Sequence, residues 1–470
     1  MDAQTAVPLA GAKFRLALVH QRRRYLAATA VRSYSGLRIA AAMAPQGSFG
    51  GHDYDMGVTV RDMFAQLGAT IMEFSLSEWE VPNRRGEIIA RIREFSPHFA
   101  TGFPNAGYGL LAQDGEPGSD DADNVFADIL SIPLILNWDH ILTQAPHYYL
   151  LSRMHEHRAG ALRVLRQRLG HPMLRHYSPD TGHIATFERL GILEPRRAKH
   201  YFPGARNHFV EAGRTMAEPS AKGRIGFAGN IYAARGEKLA ELRHPVIKKL
   251  DEIILQTKRD HWTGAGWDLL LEAIEQIPAD VRNKLGLDPD YPVFWLLALD
   301  LLGDRVSTLF RLEVLGSIPH PIDFVGNFAD PESSQALAKF EHIRYCGSAD
   351  FFKELPEVYR SREIWVDATN APFINGCGAK ALDCFAAGSM MLIDYREDLK
   401  STLGDLADSF MYRGKDELVD KVDYYLSHPA ERIEVVEKVQ AVIRERLTYQ
   451  HHFERVCADM SAEIGLTAAP

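Results

Sequence analysis

Short apolar runs alternate along most of the chain with segments in which apolar residues recur at helical spacing. In the first half, the runs that predict strands are 37–42, 70–74, 98–101 and 132–137. The segments between them that predict helices are 58–67, 87–95 and 122–130. In the second half, a long helical region at 239–277 lies among predicted strands at 224–228, 322–325, 342–346, 364–366 and 390–393. Strands that alternate with helices indicate parallel sheets.

The chain is long enough for two such units. Its 470 residues exceed the roughly 100 to 200 that one hydrophobic core organises. The polar span 211–222, which contains glycine, proline and serine, is the predicted linker. We therefore predict an α/β protein with a Rossmann-like domain at 1–215, a second at 216–445, and a C-terminal helix and tail at 446–470 that pack back. Two doubly wound domains that face each other across a cleft surround a ligand with strand ends and helix N-termini.

Composition narrows the class of protein. Hydrophobic residues make up 46% and charged residues 24% of the chain, as in folded globular proteins. The net charge of −9 disfavours nucleic-acid binding, which usually needs a basic excess. The four cysteines form no CxxC pair, which favours a reducing compartment. The apolar runs fall short of the roughly 20 residues of a membrane span, and we expect a cytoplasmic protein.

The segment 375–388, which reads NGCGAKALDCFAAG, is the most informative for chemistry. Gly376 and Gly378 allow close backbone approach, and the predicted helix behind them directs free N–H groups at an anion. Lys380 lies in the first helical turn, where a cation is unfavourable unless an anion binds nearby. Asp383 shares its helix face and is suited to sugar hydroxyls. The alternative is an ordinary helix start with a Lys380–Asp383 ion pair.

Several spaced segments resemble one known family. They are Asn375 to Gly388 with the following MMLIDYREDL, then YYLSHPAER, LTYQHHFERV, GFAGNIYAAR, RYCGSADFFKELPEVYRSREIWVDAT, SIPLILNWDH and HYFPGARNHF. Together they are similar to GT-B glycosyltransferases, and most of all to the CgeB-like, spore-maturation-protein type. The likeness is strongest over 224–456 and weak before residue 95. Asp383 and Asn375 stand where relatives often carry Glu, and Lys380 stands where many carry Arg.

This resemblance implies a set of donor-binding residues in the second domain. Gly229 and Asn230 would line the donor phosphates, Arg235 would neutralise them, and the backbone at Gly347 would read the nucleobase. The donor-loop positions carried over are Asn375, Gly376, Gly378, Lys380 and Asp383. The resemblance implies no cofactor and no metal, because GT-B enzymes generally use basic side chains and helix dipoles; the donor is a nucleotide-diphosphate sugar.

The first domain is expected to supply any general base. His52 and Asp55 lie in a glycine-rich stretch, 47–57, that reads as a flexible loop after the first strand. Asp139 and His140 follow the strand 132–137 and form the second candidate pair. Each of these residues is alternatively a turn or cap residue.

The expected function is metal-independent transfer of a sugar to an acceptor hydroxyl. The acceptor is a glycan, a lipid-linked molecule or a protein, with no nucleic-acid partner; peripheral membrane association and the oligomeric state stay open. Two alternatives remain: a degenerate homologue that binds a nucleotide or glycan without catalysis, and a nucleotide-sugar epimerase of the same architecture.

Overall fold

A computed structural model of the chain describes residues 33–45, 52–103, 123–150, 158–214, 219–221, 223–231, 244–327 and 331–465. Its framework is two six-stranded sheets in which every strand pair is parallel. This confirms the predicted fold class of two doubly wound α/β units.

The first sheet has the strand order β2-β1-β3-β4-β5-β6. Its strands are β1 Arg38–Met43, β2 Thr70–Ser75, β3 Phe99–Phe103, β4 Leu134–Asn137, β5 Leu174–Ser178 and β6 Ala198–His200. The helices of this half are α1 His52–Gln66, α2 Leu76–Trp79, α3 Pro82–Phe95, α4 Ile141–Leu150, α5 Ala161–Leu169, α6 Thr181–Arg189 and α7 Asn207–Ala212, with a π-helical turn at Val125–Ile129. Most residues of β1 and β4 are buried, as parallel strands covered on both faces require.

The second sheet has the order β12-β11-β10-β7-β8-β9. Its strands are β7 Ile225–Ala228, β8 Ile322–Val325, β9 Ile343–Tyr345, β10 Ile364–Asp367, β11 Met390–Asp394 and β12 Met411–Tyr412. Its helices are α13 Pro331–Leu337, α14 Leu355–Arg360, α15 Lys380–Ala387, α16 Glu397–Leu403, α17 Lys415–Ser427, α18 Pro429–Arg446 and α19 Tyr449–Glu463, with a 3₁₀ helix at Gly404–Ser409.

A helical segment separates β7 from β8. It comprises α8 Pro245–Asp260, α9 Gly266–Glu275, α10 Ala279–Leu285, α11 Pro292–Ala298 and α12 Ser307–Ser317. A π-helical stretch, Leu299–Val306, joins α11 directly to α12. Apolar residues of 247–306 other than Trp262 pack into the core of the first sheet, whereas Trp262 and the apolar residues of α12 pack into the core of the second. The predicted division at residue 216 follows chain order, while the packing places 245–306 with the first sheet.

The C-terminal helix returns to the first domain, as predicted. Phe453, Val456, Cys457 and Met460 of α19 are buried against the first sheet and α1. The Thr448 side chain accepts the His451 amide at the start of α19 and fixes where the helix begins.

The flexible loop predicted at 47–57 is wrong in its second half. Helix α1 begins at His52, so His52 and Asp55 lie in its first turn. Gly57 lies inside this helix, and a Cβ atom there would sit 3.2 Å from the Met43 side chain. This glycine therefore serves close helix–strand packing, where the sequence pattern indicates a turn.

Candidate functional site

Basic side chains gather at the carboxyl ends of β7 and β10, where α15 begins. Lys380, the first residue of α15, donates a hydrogen bond from Nζ to the Ala228 carbonyl oxygen at 3.0 Å. Its ammonium also forms an ion pair with Asp367, the last residue of β10. Lys380 therefore pairs with Asp367, and the predicted alternative of a Lys380–Asp383 pair is wrong.

Arg311 of α12 lies beside this lysine, although the sequence pattern did not indicate it. Its guanidinium donates to the Asn230 carbonyl oxygen at 2.9 Å and to the Asn370 side chain. Arg311 is only 8% exposed. A charged residue within the apolar stretch of α12 was the available sequence signal.

The two cations act on each other electrostatically. Burial lowers the pKa of Lys380; Asp367 opposes this effect, and the Arg311 charge adds to it. A lysine in this setting gains from a nearby anion, which restores the balance of charge. The arrangement can hold a phosphate group between two cations and the start of a helix.

The glycines of this edge provide backbone surface for a ligand. A Cβ atom at Gly378, just before α15, would meet nothing within 4 Å. Gly229 follows β7, and its amide donates to Val325 at 2.9 Å. The Asn230 side chain accepts the Asn327 amide at 3.2 Å and so holds the loops after β7 and β8 together. Gly347 has φ +86°, and Tyr345, 48% exposed, stands two residues before it.

The Asp383 side chain is buried and is bound by Arg206. Arg206 donates its backbone N–H to one carboxylate oxygen and its Nε to the other, each at 2.9 Å. Asp383 is 1% exposed. Burial raises the pKa of Asp383, and Arg206 opposes this rise. The contact favours a structural role, and its predicted contact with donor hydroxyls stays a prediction.

Asn375 and Gly376 lie where the two domains meet. The Asn375 amide donates at 3.1 Å to Asp180, the residue that precedes α6 in the first domain. A Cβ atom at Gly376 would lie closer than 3.0 Å to the Pro179 carbonyl oxygen. These two residues thus contact the first domain, whereas Lys380 contacts the ends of β7 and β10. Arg235 lies outside the described residues.

The first domain places Asp139 and His140 after β4, on the cleft side. Asp139 is exposed and His140 is half-buried. The His140 ring packs edge-on against Phe373 of the second domain, at 5.7 Å between centroids. Burial lowers the pKa of His140, the Asp139 charge opposes this, and His183 adds to it. A neutral imidazole at this position is suited to accept a proton.

Two features are absent from the part of the chain that the structure describes. Within the described ranges, no three His, Cys, Asp or Glu side chains cluster in a way that would hold a metal ion. In the same part of the chain, no helix has the length and apolar character needed to cross a membrane. Metal independence stays a prediction.

Comparisons with known proteins identify a family domain in part of the chain and solved structures with a similar fold. Residues 304–458 match the family model described as glycosyl transferase-like. No curated protein matches the chain. The crystal structure of Anabaena HepE with UDP-glucose is similar, with 9% identity, a TM-score of 0.50, and coverage of 91% of this chain and 100% of HepE. A glycosyltransferase from Rickettsia africae has 10% identity and a TM-score of 0.49, with coverage of 92% and 100%. The chain thus has the fold of GT-B glycosyltransferases, with a glycosyl transferase-like domain at 304–458.

Proposed function

We propose that the protein transfers a sugar from a nucleotide-diphosphate sugar to an acceptor hydroxyl without a metal ion. The observation that carries this proposal is that Lys380, at the start of α15, lies near the Arg311 charge of α12. Two cations and free helix N–H groups at a strand edge match the charge of a diphosphate. The glycosyl transferase-like segment and the HepE structure with UDP-glucose support the same reaction class.

In this mechanism the second domain stabilises the leaving group. Negative charge grows on the diphosphate as the glycosidic bond to it breaks. Lys380, Arg311 and the backbone next to Gly378 would meet that charge with groups already in place. The open backbone at Gly347 and the exposed ring of Tyr345 would receive the nucleobase.

The first domain would deprotonate the acceptor if the reaction inverts stereochemistry. We choose Asp139 and His140, which follow β4, as the pair to test first; the His140 ring contacts Phe373 of the second domain. We expect Asp139→Ala to lower turnover about 100-fold or more at saturating donor, with unchanged donor affinity. His52→Ala and Asp55→Ala serve as the comparison. Near wild-type turnover in all three variants would point to a mechanism without a protein base.

A protein that binds a nucleotide without catalysis is the second candidate. The Arg206–Asp383 contact favours it, because this carboxylate is fully occupied in the absence of a ligand. Hydrolysis or transfer of the donor distinguishes the two functions. An epimerase would instead release an isomerised free nucleotide sugar.

The test is a thermal-shift panel of UDP, GDP, UDP-glucose and other nucleotide sugars, followed by product analysis. A ligand at 100 times its dissociation constant stabilises a fold by about 2.7 kcal/mol. We expect one nucleotide class to raise the melting temperature and its sugar conjugate to yield a glycoside. No shift with any member of the panel would contradict the proposal. The acceptor class and the cytoplasmic location stay predictions.

A further inference from the structure

The loop that leads into α15 is fastened to the first domain through one carboxylate. Asp180 accepts the Ile374 amide through Oδ2 at 2.7 Å and the Asn375 amide through Oδ1 at 3.1 Å. Asp180 is 0% exposed. Its Oδ1 also accepts the Gly182 and His183 amides at 2.8 and 3.1 Å, and so caps α6. One buried side chain therefore orders a helix start in the first domain and a loop of the second.

Next to Asp180, the backbones of the two domains lie so close together that only glycine fits at two positions. A Cβ atom at Gly182 would lie closer than 3.0 Å to the Ile374 side chain, and one at Gly376 would lie closer than 3.0 Å to the Pro179 carbonyl oxygen. Each domain thus presents a glycine to the other at the same place. Substitution of either glycine would separate the two surfaces.

Other contacts hold the same loop from both sides. The His183 ring stacks on Phe373 at 5.8 Å, and His183 Nε2 lies 2.9 Å from the Pro372 carbonyl oxygen. From the second domain, Arg396 donates to the Phe373 carbonyl oxygen at 3.3 Å. Asp398, also in the second domain, accepts a hydrogen bond at 2.9 Å from the amide of Thr181 in the first domain. The loop 372–376 is therefore an interdomain element, although it belongs by sequence to the second domain.

We propose that Asp180 is a positioning residue through which the first domain sets the conformation of the loop 374–378, so that donor binding depends on domain docking. This inference rests on the proposed function, because the loop ends at Gly378 and Lys380. Its carboxylate binds backbone amides of residues 182–183 and 374–375. It acts through the Ile374 and Asn375 amides, which fix the direction in which the loop enters α15.

An isosteric substitution separates the two roles of Asp180. In Asp180→Asn, the remaining oxygen keeps the cap of α6, whereas an amide NH₂ replaces the acceptor that faces the Ile374 N–H. We expect hydrogen exchange at Ile374 in the ligand-free protein to accelerate about tenfold or more. Exchange at Asn375, Gly182 and His183, whose amides bind the retained Oδ1, should stay unchanged. UDP affinity measured by calorimetry should fall at least about fivefold.

Two further variants support this test, one as a replacement for Asp180→Asn and one as a control. Gly182→Ala keeps the Asp180 carboxylate but places a Cβ atom closer than 3.0 Å to the Ile374 side chain and 3.0 Å from Asp180 Oδ1. It should therefore reproduce both effects if Asp180→Asn fails to fold. Asn124→Ala removes the side chain that caps the π-helical turn Val125–Ile129, and it should lower the melting temperature without changing exchange at 374–375 or UDP affinity.

The outcomes separate this inference from the proposed function. If wild-type protein binds UDP and the Asp180→Asn and Gly182→Ala variants bind it equally well, the positioning role is overturned while the function stands. Unchanged exchange at Ile374 in both variants overturns it as well. If the wild-type protein binds neither UDP nor any other nucleoside diphosphate, the proposed function fails and the role in donor binding fails with it.

Discussion

At the level of single residues, Lys380 occupies an electrostatically unfavourable position that two local contacts compensate. Its ammonium stands at the positive end of α15 and near Arg311, which is unfavourable, yet Asp367 and the Ala228 carbonyl oxygen hold it in place. Asp367 offsets one of the two positive charges of Lys380 and Arg311. An anion bound here would offset the other.

Removing this ammonium should weaken donor binding. We expect Lys380→Ala to lower donor affinity about tenfold or more, since a hydrogen bond to a charged group contributes about 1.5 to 3 kcal/mol. Titration calorimetry measures this directly. Because the substitution also leaves Asp367 unpaired, the double variant with Asp367→Asn should recover melting temperature but not affinity. Lys400→Ala, which removes a lysine paired with Asp405 and Asp408, is the control and should change neither.

Breaking the Arg206–Asp383 pair should mainly reduce stability. We expect Asp383→Asn to lower the free energy of unfolding by about 3 kcal/mol, because it leaves a buried guanidinium without its partner. Denaturant titration gives this value, and nucleotide affinity is measured under conditions where the variant is folded. A loss of affinity without a loss of stability would show instead that Asp383 contacts the donor.

Local sequence patterns indicate some of these residues and not others. The place of Lys380 at the start of a helix, just after Gly378, was predictable because glycine and charge cluster there in the sequence; the role of both residues in donor binding stays a prediction. Asp180 was not, because its hydrogen bond to Ile374 joins residues 194 positions apart, and a local pattern holds no information on such a contact. Arg311 was missed for the same reason, since its partners lie on other elements of the sheet edge.

At the level of elements, strands were easier to predict than the starts of helices. Buried strands such as β4 read as compact apolar runs, and their bounds agree closely with the prediction. Helix α1 begins earlier than predicted because Gly57 indicates a turn in sequence but serves packing in space. The π-helical stretch Leu299–Val306 depends on tertiary packing, and the hydrophobic pattern does not distinguish it from an α-helix.

The connection between α8 and α9 should make stability depend on pH. Lys258 is buried and donates to the Trp262 and Gly264 carbonyl oxygens. Burial, with a contribution from Arg396, lowers its pKa to about 7. Between about pH 7 and 10 the unfolded chain therefore binds more protons at this site, so stability rises with pH there, by at most about 1.4 kcal/mol per pH unit.

A substitution isolates this effect. We expect the free energy of unfolding of the wild-type protein to rise, relative to that of Lys258→Met, as the pH increases from 7 to 9. Urea titrations of both proteins at several pH values measure the difference. A difference that stays constant over this interval would show that Lys258 titrates at its ordinary pKa.

At the level of the whole molecule, Lys380 brings a positive charge to the carboxyl ends of β7 and β10, near Arg311. We expect transfer activity to survive EDTA, because Lys380 and Arg311 would supply the charge that a metal ion otherwise supplies. The measurement is turnover before and after chelation and after Mg²⁺ or Mn²⁺ is returned. Loss of activity with EDTA and recovery with either ion would contradict metal independence.

The helix that runs from Pro292 to Ser317 has a mechanical consequence for this molecule. Apolar residues of its first half are buried in the core of the first sheet, and those of its second half in the core of the second. It therefore forms a continuous helical strut between the two domains. Any rotation that widens or narrows the cleft must bend this strut. The bend should fall at Leu299–Val306, where the regular ladder of α-helical hydrogen bonds is already interrupted. Closure around a ligand therefore works against an elastic resistance that domains joined only by loops would not have.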